Sequence, residues 1–393
     1  MNREYRGISE RKYYFDNQVK YLRGDILGDN YEKVTIVMLS LNRSEHTLLL
    51  LKSLSLNCPD YAGKVLIADN GSERGEIERL KEGIRKFSYE IKLYEFGENF
   101  GVAKGRNKAF VLAETEWIFS LDNDIFFVEN PFPKVEKTLF ETGAKFCNLP
   151  LLDEKGKNYV TNGGHLWINK KDNNNVFISC GPIFMLERNI GNTEGTSVLS
   201  TYLFGGCAFY HRETFLNTGS FDENYFIGFE DIDYSLNLFK KGFKIANCCF
   251  ACLVHNHPHK ENVSLYDKER YRYDKIKKGA EYFFVKNGVR VWDEVTDQFF
   301  VEESLKQALV EDEKISLDII YEEAKRNYCE VNLIPDSKKD DEALLLQRIG
   351  ELEEYSSNQE KAIEELRNMN EELRRYSSDQ EAVIANLKIQ LSD

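Results

Sequence analysis

The sequence lacks any long apolar run, and this absence limits where the protein can act. Its longest apolar stretches, such as Val34 to Leu41 and Leu48 to Leu51, are much shorter than the roughly 20 residues that a helix needs to cross a bilayer. The N-terminus contains charged and aromatic residues where a signal peptide has an apolar segment. We therefore expect a soluble, cytoplasmic protein.

Basic charge is also scarce. The chain of 393 residues holds 52 Lys and Arg against 66 Asp and Glu, which gives a net charge of −14. Half of this excess lies in residues 336–393, with 15 acidic and 8 basic side chains. Nucleic-acid binding requires a concentrated basic surface, so the composition excludes that class of partner.

The eight cysteines do not form a spaced framework. Cys249 and Cys252 match the C-x-x-C spacing of zinc and redox sites, but no second pair accompanies them and the surrounding run is apolar. Free Cys behaves as a small apolar side chain and is commonly buried. We predict buried free thiols.

Strand and helix patterns alternate from residue 34 onward. The runs that favour strands are Val34 to Leu41, Lys64 to Ala68, Ile91 to Phe96 and Trp117 to Leu121. The helical patterns between them are Glu45 to Leu56, Glu76 to Phe87 and a segment from near Arg106. This alternation predicts an α/β fold with a mostly parallel sheet flanked by helices.

Polar residues follow each predicted strand. The carboxyl ends of parallel strands form one edge of an open α/β sheet, where ligands bind. The side chains expected to converge there are Ser40, Asp69, Asn99, Asp122 and Asp124.

Two acidic clusters are candidates for chemistry. In Asp122-Asn123-Asp124, residues i and i+2 of an extended segment project to the same side and could bind one divalent cation. An Asx turn that closes the strand is the alternative.

The second cluster, Glu230-Asp231-Ile232-Asp233, follows an aromatic, glycine-containing segment. A partly dry carboxylate suits a general base. The alternative is a helix start whose acidic residues lie near the positive end of the helix dipole.

Three of the six histidines, His255, His257 and His259, end an apolar run. Imidazole could complete a Mn²⁺ site begun by carboxylates, or the segment could be a solvated turn around Pro258.

Arg106 and Asn107 lie at the expected start of a helix. They could bind a phosphate or a base with help from the helix N-terminus, or they could have an ordinary capping role.

The composition divides the chain into four parts. Residues 1–32 form an N-terminal extension, 33–260 the α/β domain, 261–335 a helical extension and 336–393 a coiled coil. Within the domain, the pattern between 130 and about 203 is irregular and is typical of long loops.

A 16-residue segment that begins at Glu351 recurs at Glu372, three heptads later. Heptad spacing of apolar residues predicts a coiled coil, with a single solvated helix as the alternative. We expect residues 340–393 to mediate self-association or docking to a partner enzyme.

Seven motifs in this order resemble the family 2 glycosyltransferases of the GT-A fold, over about residues 33–258. They are Asn42-Arg43, Asp69-Asn70-Gly71-Ser72, Glu98 to Asn107, Asp122-Asn123-Asp124, Gly205-Gly206, Gly219 to Glu223 and Gly228 to Asp233. The resemblance implies a GT-A, Rossmann-like fold, a nucleotide-sugar donor with UDP or dTDP favoured, Mn²⁺ or Mg²⁺, and inversion at the anomeric carbon.

The resemblance also implies roles for individual residues. Asp231 matches the catalytic base, and Glu230 lies beside it. Contacts to the nucleotide sugar fall on Ser40, Asn42, Asp69, Asn99, Arg106, Asn107, Asp122 and Gly206. Metal ligands fall on Asp122, Asp124 and His255. Leu41 replaces a frequent Tyr of the family, so stacking on the base is weaker or comes from elsewhere.

The implied partners are the nucleotide-sugar donor and a glycan or lipid-linked acceptor used in polysaccharide biosynthesis. A lipid-linked acceptor would bring the protein to the inner face of the membrane. One alternative is a catalytically inactive GT-A scaffold that acts through the coiled coil. A sugar nucleotidyltransferase is less favoured, because Leu39 to Arg43 lacks the glycine-rich phosphate loop of those enzymes.

Overall fold

The structure is a computed structural model that describes residues 24, 26–170, 176–181, 197–256, 273–293, 296–298 and 316–332. Most of the predicted N-terminal extension, His257, His259 and the whole predicted coiled coil lie outside the described residues.

Strands and short helices alternate through the described chain. The strands are β1 Val34–Ser40, β2 Lys64–Asp69, β3 Glu90–Glu95, β4 Trp117–Asp122, β5 Ile125–Phe127, β6 Phe146–Asn148, β7 Leu151–Leu152, β8 Tyr159–Thr161, β9 His165–Lys170, β10 Val176–Gly181, β11 Ser197–Ser200, β12 Cys207–His211, β13 Ile245–Cys248 and β14 Leu253–His255. The helices are α1 Ser44–Asn57, α2 Arg74–Ile84, α3 Gly101–Leu112, α4 Phe132–Thr142, α5 Arg212–Asn217, α6 Glu230–Lys240, α7 Tyr273–Asn287 and α8 Leu317–Asn332.

The central sheet has eight strands in the order β11-β13-β6-β12-β4-β1-β2-β3. The four strands predicted from the sequence, β1 to β4, are parallel neighbours, which confirms the α/β assignment. On the other side of β4 the sheet becomes mixed, because β12 runs antiparallel to both β4 and β6.

Alternating residues of β1 explain how the sheet is covered on both faces. Ile36 and Met38 pack with the apolar side of α1, whereas Val37 packs with α3. All three are essentially inaccessible to solvent. Burying an aliphatic side chain of this size contributes about 1.5–3 kcal/mol. The two-sided core fixes β1 at the centre of the fold and thereby fixes the edge where it ends.

A smaller four-stranded sheet lies in the order β5-β14-β7-β8. Strand β14 runs antiparallel to β5, and this register places His255 opposite Ile125. The end of the apolar run therefore reaches the residue that follows Asp124.

Two expectations about local structure are wrong. Helix α3 begins at Gly101, not near Arg106, and the Gly101 backbone N–H donates a 2.9 Å hydrogen bond to the Asn99 side chain. The region from 130 to about 203 is not generally irregular, since it contains α4 and the strands β6 to β11.

Helices α7 and α8 lie within residues 261–335, and the assignment of this segment as a separate extension stays a prediction. Among the residues that the structure describes, no helix combines the length and the apolar character that a membrane span requires.

The prediction of buried free thiols is wrong for Cys329, which is exposed, and is confirmed for six cysteines: Cys58, Cys147, Cys207, Cys248, Cys249 and Cys252. Burial raises the pKa of Cys252 well above its ordinary value, so this thiol stays protonated.

Candidate active site

The carboxyl ends of three neighbouring strands meet at one edge of the sheet. Ser40 at the end of β1 pairs in register with Asp69 at the end of β2. On the other side of β1, Leu39 pairs with Asp122 at the end of β4. The predicted convergence of these strand ends is therefore confirmed.

One carboxylate oxygen of Asp69 accepts hydrogen bonds, and the other has no partner among the described residues. Its Oδ2 atom accepts hydrogen bonds from the backbone N–H groups of Gly71 at 3.2 Å and Ser72 at 3.1 Å. Its Oδ1 atom is buried and has no hydrogen-bond partner among the described residues. A buried acceptor without a hydrogen bond costs folding free energy. This atom therefore suggests that a ligand with an N–H or O–H donor binds here.

The two loops after β1 and β2 are tied together beside Asp69. The backbone N–H of Asn42 donates to Ser72 Oγ at 2.6 Å, and the Asn42 side chain accepts from the Glu73 N–H at 2.9 Å. Ser40 is turned inward, with its Oγ atom 3.3 Å from the hydroxyl of Thr47. A cavity of about 320 Å³ opens at these loops, lined by Leu41, Asn42, Gly71, Glu73, Asn99, Phe226 and Lys275.

Arg106 joins the sheet edge to the N-terminus of α6. Its Nη2 atom lies 2.7 Å from Asp122 Oδ1, and its Nη1 atom lies 3.6 Å from Glu230 Oε1. Burial opposes the charge of this guanidinium, but Asp122 and Glu230 together raise its pKa, so it remains a cation. The two acidic clusters thus share one buried positive charge.

Gly205 and Gly206 allow these groups to approach each other. A Cβ atom at Gly206 would lie 2.4 Å from Asp122 Oδ2, and one at Gly205 would lie 2.6 Å from Arg106 Nη1. Any side chain at these positions would therefore push the carboxylate or the guanidinium out of place.

Asp231 lies in the first turn of α6 and is only partly buried. Its Oδ2 atom accepts a 2.5 Å hydrogen bond from the Tyr202 hydroxyl, and its Oδ1 atom accepts one from the Ile232 N–H at 2.8 Å. Burial raises the pKa of Asp231, although the Tyr202 hydrogen bond and the Arg106 charge lower it. A carboxylate with this environment can accept a proton.

Glu230 is more deeply buried than Asp231. Burial, followed by the adjacent Asp231 carboxylate, raises the pKa of Glu230 to about 7, with Arg106 acting in the opposite direction. The pair therefore combines a buried acid that exchanges its proton near neutral pH with a more accessible one.

Asp233 has different hydrogen-bond partners from Glu230 and Asp231. Lys286 Nζ donates to it at 2.7 Å and Asn287 Nδ2 at 2.8 Å, both from α7. Lys286 also donates to Asp222 at 2.7 Å. Helix α7 therefore contacts both Asp222, which precedes α6, and the first turn of α6.

Asp124 and His255 form a second polar group near the sheet edge. His255 Nε2 lies 3.3 Å from Asp124 Oδ1, while Arg43 Nη1 lies 3.6 Å from Asp124 Oδ2. Within the described ranges, no group of three or more His, Cys, Asp or Glu side chains could hold a metal ion. The carboxylate and imidazole are nevertheless a donor pair that suits a divalent cation.

The extended geometry expected for Asp122-Asn123-Asp124 is wrong. Strand β4 ends at Asp122, and the chain turns at residues 123 and 124. As a result Asp122 contacts Arg106, whereas Asp124 contacts Arg43 and His255.

The side chains of Asn99 and Asn107 hydrogen-bond to other residues of the protein. Asn107 Nδ2 donates to the Phe221 carbonyl at 2.9 Å, and its Oδ1 accepts from the Phe221 N–H at 3.1 Å. Asn107 lies in the second turn of α3, away from the helix N-terminus. A direct role of Asn99 or Asn107 in donor binding stays a prediction.

Sequence reasoning missed Tyr202 and Lys286, and it quoted Arg43 without giving it a role. Tyr202 and Lys286 lie far from their carboxylate partners along the chain, and no local motif marks either one. Arg43 could have been suspected, because it forms the first motif together with Asn42.

A family model matches the segment that builds the sheet edge. The family is described as glycosyl transferase family 2, and the match covers residues 35–215. It includes the motifs from Asn42 to Gly206 and ends before Glu230. The resemblance predicted from the sequence is confirmed over this segment. No curated relative matches the sequence.

Two solved structures resemble the chain at low sequence identity. The crystal structure of GalNAc-T7 with UDP, GalNAc and Mn²⁺ is 18% identical, with a TM-score of 0.48, over 74% of this chain and 54% of that one. The crystal structure of S. aureus TarS is 14% identical, with a TM-score of 0.40, over 77% of this chain and 49% of that one. This chain therefore spans about half of each.

Proposed function

Because residues 35–215 match the family 2 glycosyltransferases, we propose that this chain transfers a sugar, with inversion, from a UDP- or dTDP-sugar to a hydroxyl of a glycan or lipid-linked saccharide. The observation that carries the proposal is the position of Arg106 between Asp122 and Glu230. Arg106 thereby links Asp122, which lies in the matched segment, to Glu230, which lies after that segment.

Asp231 is the general base of this proposal. It is the more accessible member of the acidic pair at the start of α6, and two donors hold its carboxylate. An inverting transfer needs a base that removes the proton of the attacking hydroxyl. A well-placed carboxylate typically supplies about 10²–10⁴-fold in rate.

Asp69 supports the choice of UDP or dTDP. Its buried Oδ1 atom needs a donor. Uracil, thymine and guanine present a ring N–H group on their base-pairing edge, whereas cytosine and adenine present an unprotonated ring nitrogen. A carboxylate accepts from the N–H group and repels that nitrogen, so Asp69 favours uracil and thymine over cytosine and adenine.

Asp124 and His255 would hold the proposed Mn²⁺ or Mg²⁺ ion, and the close approach of their oxygen and nitrogen atoms fits such an ion. When bound, the ion supplies Lewis-acid stabilisation of the leaving diphosphate. The resemblance also assigns Asp122 to the metal. Asp122 contacts Arg106, and it can influence donor binding through this cation.

The setting of the reaction is part of the proposal. We expect a cytoplasmic enzyme of polysaccharide biosynthesis that meets a lipid-linked acceptor at the inner face of the membrane. Residues 340–393 would mediate self-association or docking of a partner enzyme. Light scattering of the full chain and of a fragment ending at residue 335 tests self-association, and equal oligomeric states would contradict it.

A donor screen tests the catalytic proposal. The full chain is incubated with a panel of nucleotide sugars, with and without Mn²⁺, and release of nucleoside diphosphate is measured. We expect release from UDP- or dTDP-sugars that depends on Mn²⁺. No release together with no nucleotide binding by calorimetry would favour the inactive scaffold instead.

A further inference from the structure

Tyr202 is placed to control the side chain of Asp231. It lies in the connection between β11 and β12, and its ring is buried at 4% exposure. Its hydroxyl donates to Asp231 Oδ2 at 2.5 Å. A hydrogen bond to an ionised carboxylate is short and is stronger than one between neutral groups. This contact therefore constrains the orientation of the carboxylate.

The backbone around Tyr202 is fixed on two sides. Asn148 Nδ2 donates to the Tyr202 carbonyl at 2.7 Å, and the Leu203 N–H donates to Ser235 Oγ at 2.9 Å. Ser235 in turn donates to the Asp231 carbonyl at 2.6 Å. The segment is thus attached to the same helix turn that carries Asp231, and the phenol approaches from a fixed position.

The charged groups around Asp231 come from several elements. Arg106 lies on α3, Glu230 on α6, Asp122 on β4 and the tyrosine Tyr210 on β12. Two tyrosines, Tyr202 and Tyr210, lie near Glu230 and Asp231. Tyr202 donates a hydrogen bond to Asp231, whereas the Tyr210 hydroxyl has no partner among the described residues.

We propose that Tyr202 is a positioning residue that holds the Asp231 carboxylate in one orientation and in its ionised form, ready to accept the proton of the attacking hydroxyl. This inference rests on the proposed function, in which Asp231 is the base. Tyr202 lies within the segment matched by the family model, whereas Asp231 lies beyond it. The hydrogen bond therefore couples the two parts of the site.

The first test measures the proton equilibrium of Asp231 without any substrate. The full chain is labelled with ¹³C at the Asp carboxyl groups, and the resonance missing in Asp231→Asn is followed between pH 3 and 9. We expect Tyr202→Phe to raise the midpoint by about one to two pH units, because hydrogen bonds to charged groups favour the ionised form by about 1.5–3 kcal/mol.

Tyr210→Phe is the matched control, since it removes a buried hydroxyl that has no partner in the described part of the site. It should leave the Asp231 midpoint in place. The titration is repeated with and without Tyr202→Phe in a Glu230→Gln background, which removes the contribution of the neighbouring carboxyl. An unchanged midpoint in Tyr202→Phe, in either background, would overturn the inference.

The second test uses the donor found by the screen. In Tyr202→Phe, the acid limb of the kcat/KM profile, which reports the free enzyme, should move to higher pH by the same amount, while KM for the donor at pH 9 stays at the wild-type value. If wild-type protein releases no nucleoside diphosphate, the proposed function fails but the titration result stands. If wild-type protein is active and Tyr202→Phe has an unchanged limb, only the role of Tyr202 fails.

Discussion

Arg106 donates a 2.7 Å hydrogen bond to Asp122, and both residues come from elements predicted from the sequence. The same guanidinium lies 3.6 Å from Glu230. Arg106→Met would leave two carboxylates without their cation. We expect a loss of about 3–5 kcal/mol in the free energy of unfolding, the usual cost of removing one partner of a buried ion pair.

Urea denaturation of wild type, Arg106→Met and Arg106→Lys measures this cost. Lys keeps the charge but loses the two-sided contact of the guanidinium, so its loss should be smaller. A stability of Arg106→Met equal to that of wild type would show that the three groups are not coupled.

Asp231→Asn tests the base directly. The amide has nearly the same shape but cannot accept a proton from the substrate, so we expect nucleoside diphosphate release to fall by about 10²–10⁴-fold. UDP binding, measured by calorimetry, should be unchanged because Asp231 does not contact the donor in this proposal. Full transferase activity in Asp231→Asn would contradict the assignment.

Glu230 should make stability depend on pH. Its pKa is raised to about 7 in the folded protein, so the folded state binds more protons than the unfolded state between about pH 4.5 and 7. The free energy of unfolding contributed by this group is therefore fully present below that window and falls as pH rises through it.

Denaturant titrations at pH 4.5, 5.5, 6.5 and 7.5 check the sign. Glu230→Gln removes the titration, so its stability relative to wild type should increase as pH rises. A difference between the two proteins that stays constant across the window would refute the raised pKa.

Gly206→Ala tests the close packing against Asp122. The new Cβ atom would lie 2.4 Å from Asp122 Oδ2, so the carboxylate must move and its contact with Arg106 weakens. We expect a destabilisation of about 1–3 kcal/mol, typical of overpacking, and reduced diphosphate release. Gly75→Ala in α2 is the control, because a Cβ atom there meets nothing within 4 Å.

Metal binding should depend on Asp124 and His255. Mn²⁺ titration of the full chain, followed by electron paramagnetic resonance of the free ion, should show tight binding in the presence of UDP. Asp124→Asn and His255→Gln should each weaken it by at least about tenfold, since each removes one ligand. His165→Gln, on the exposed strand β9, should bind like wild type. Equal Mn²⁺ affinity in all four proteins would remove the metal assignment.

The sequence predicts the sheet edge well and the site less well. Strands β1, β2 and β4 were recognisable because each is a short, largely apolar run that ends at a polar residue, and parallel topology then brings Ser40, Asp69 and Asp122 together. The start of α3 was missed, because Gly101 has a φ of 77° and its segment has the composition of a loop.

The site departs from sequence reasoning where long-range contacts decide. Asp122 and Asp124 were expected to act together, but the turn between them gives each a different cation. Tyr202 reaches Asp231 across 29 residues of sequence. Spacing along the chain carries information about neighbours on one element, but it does not show which side chain a folded loop brings to a carboxylate.

The contacts of Lys286 have a practical consequence for expressing shorter versions of this protein. Lys286 binds Asp222, which precedes α6, and Asp233, which lies in the first turn of α6 together with the proposed base Asp231. A fragment cut at residue 256, after the last strand, would keep the whole sheet but lose this cation and leave the nearly inaccessible Asp233 carboxylate exposed to repulsion from Asp222. A minimal active fragment must therefore extend through Asn287.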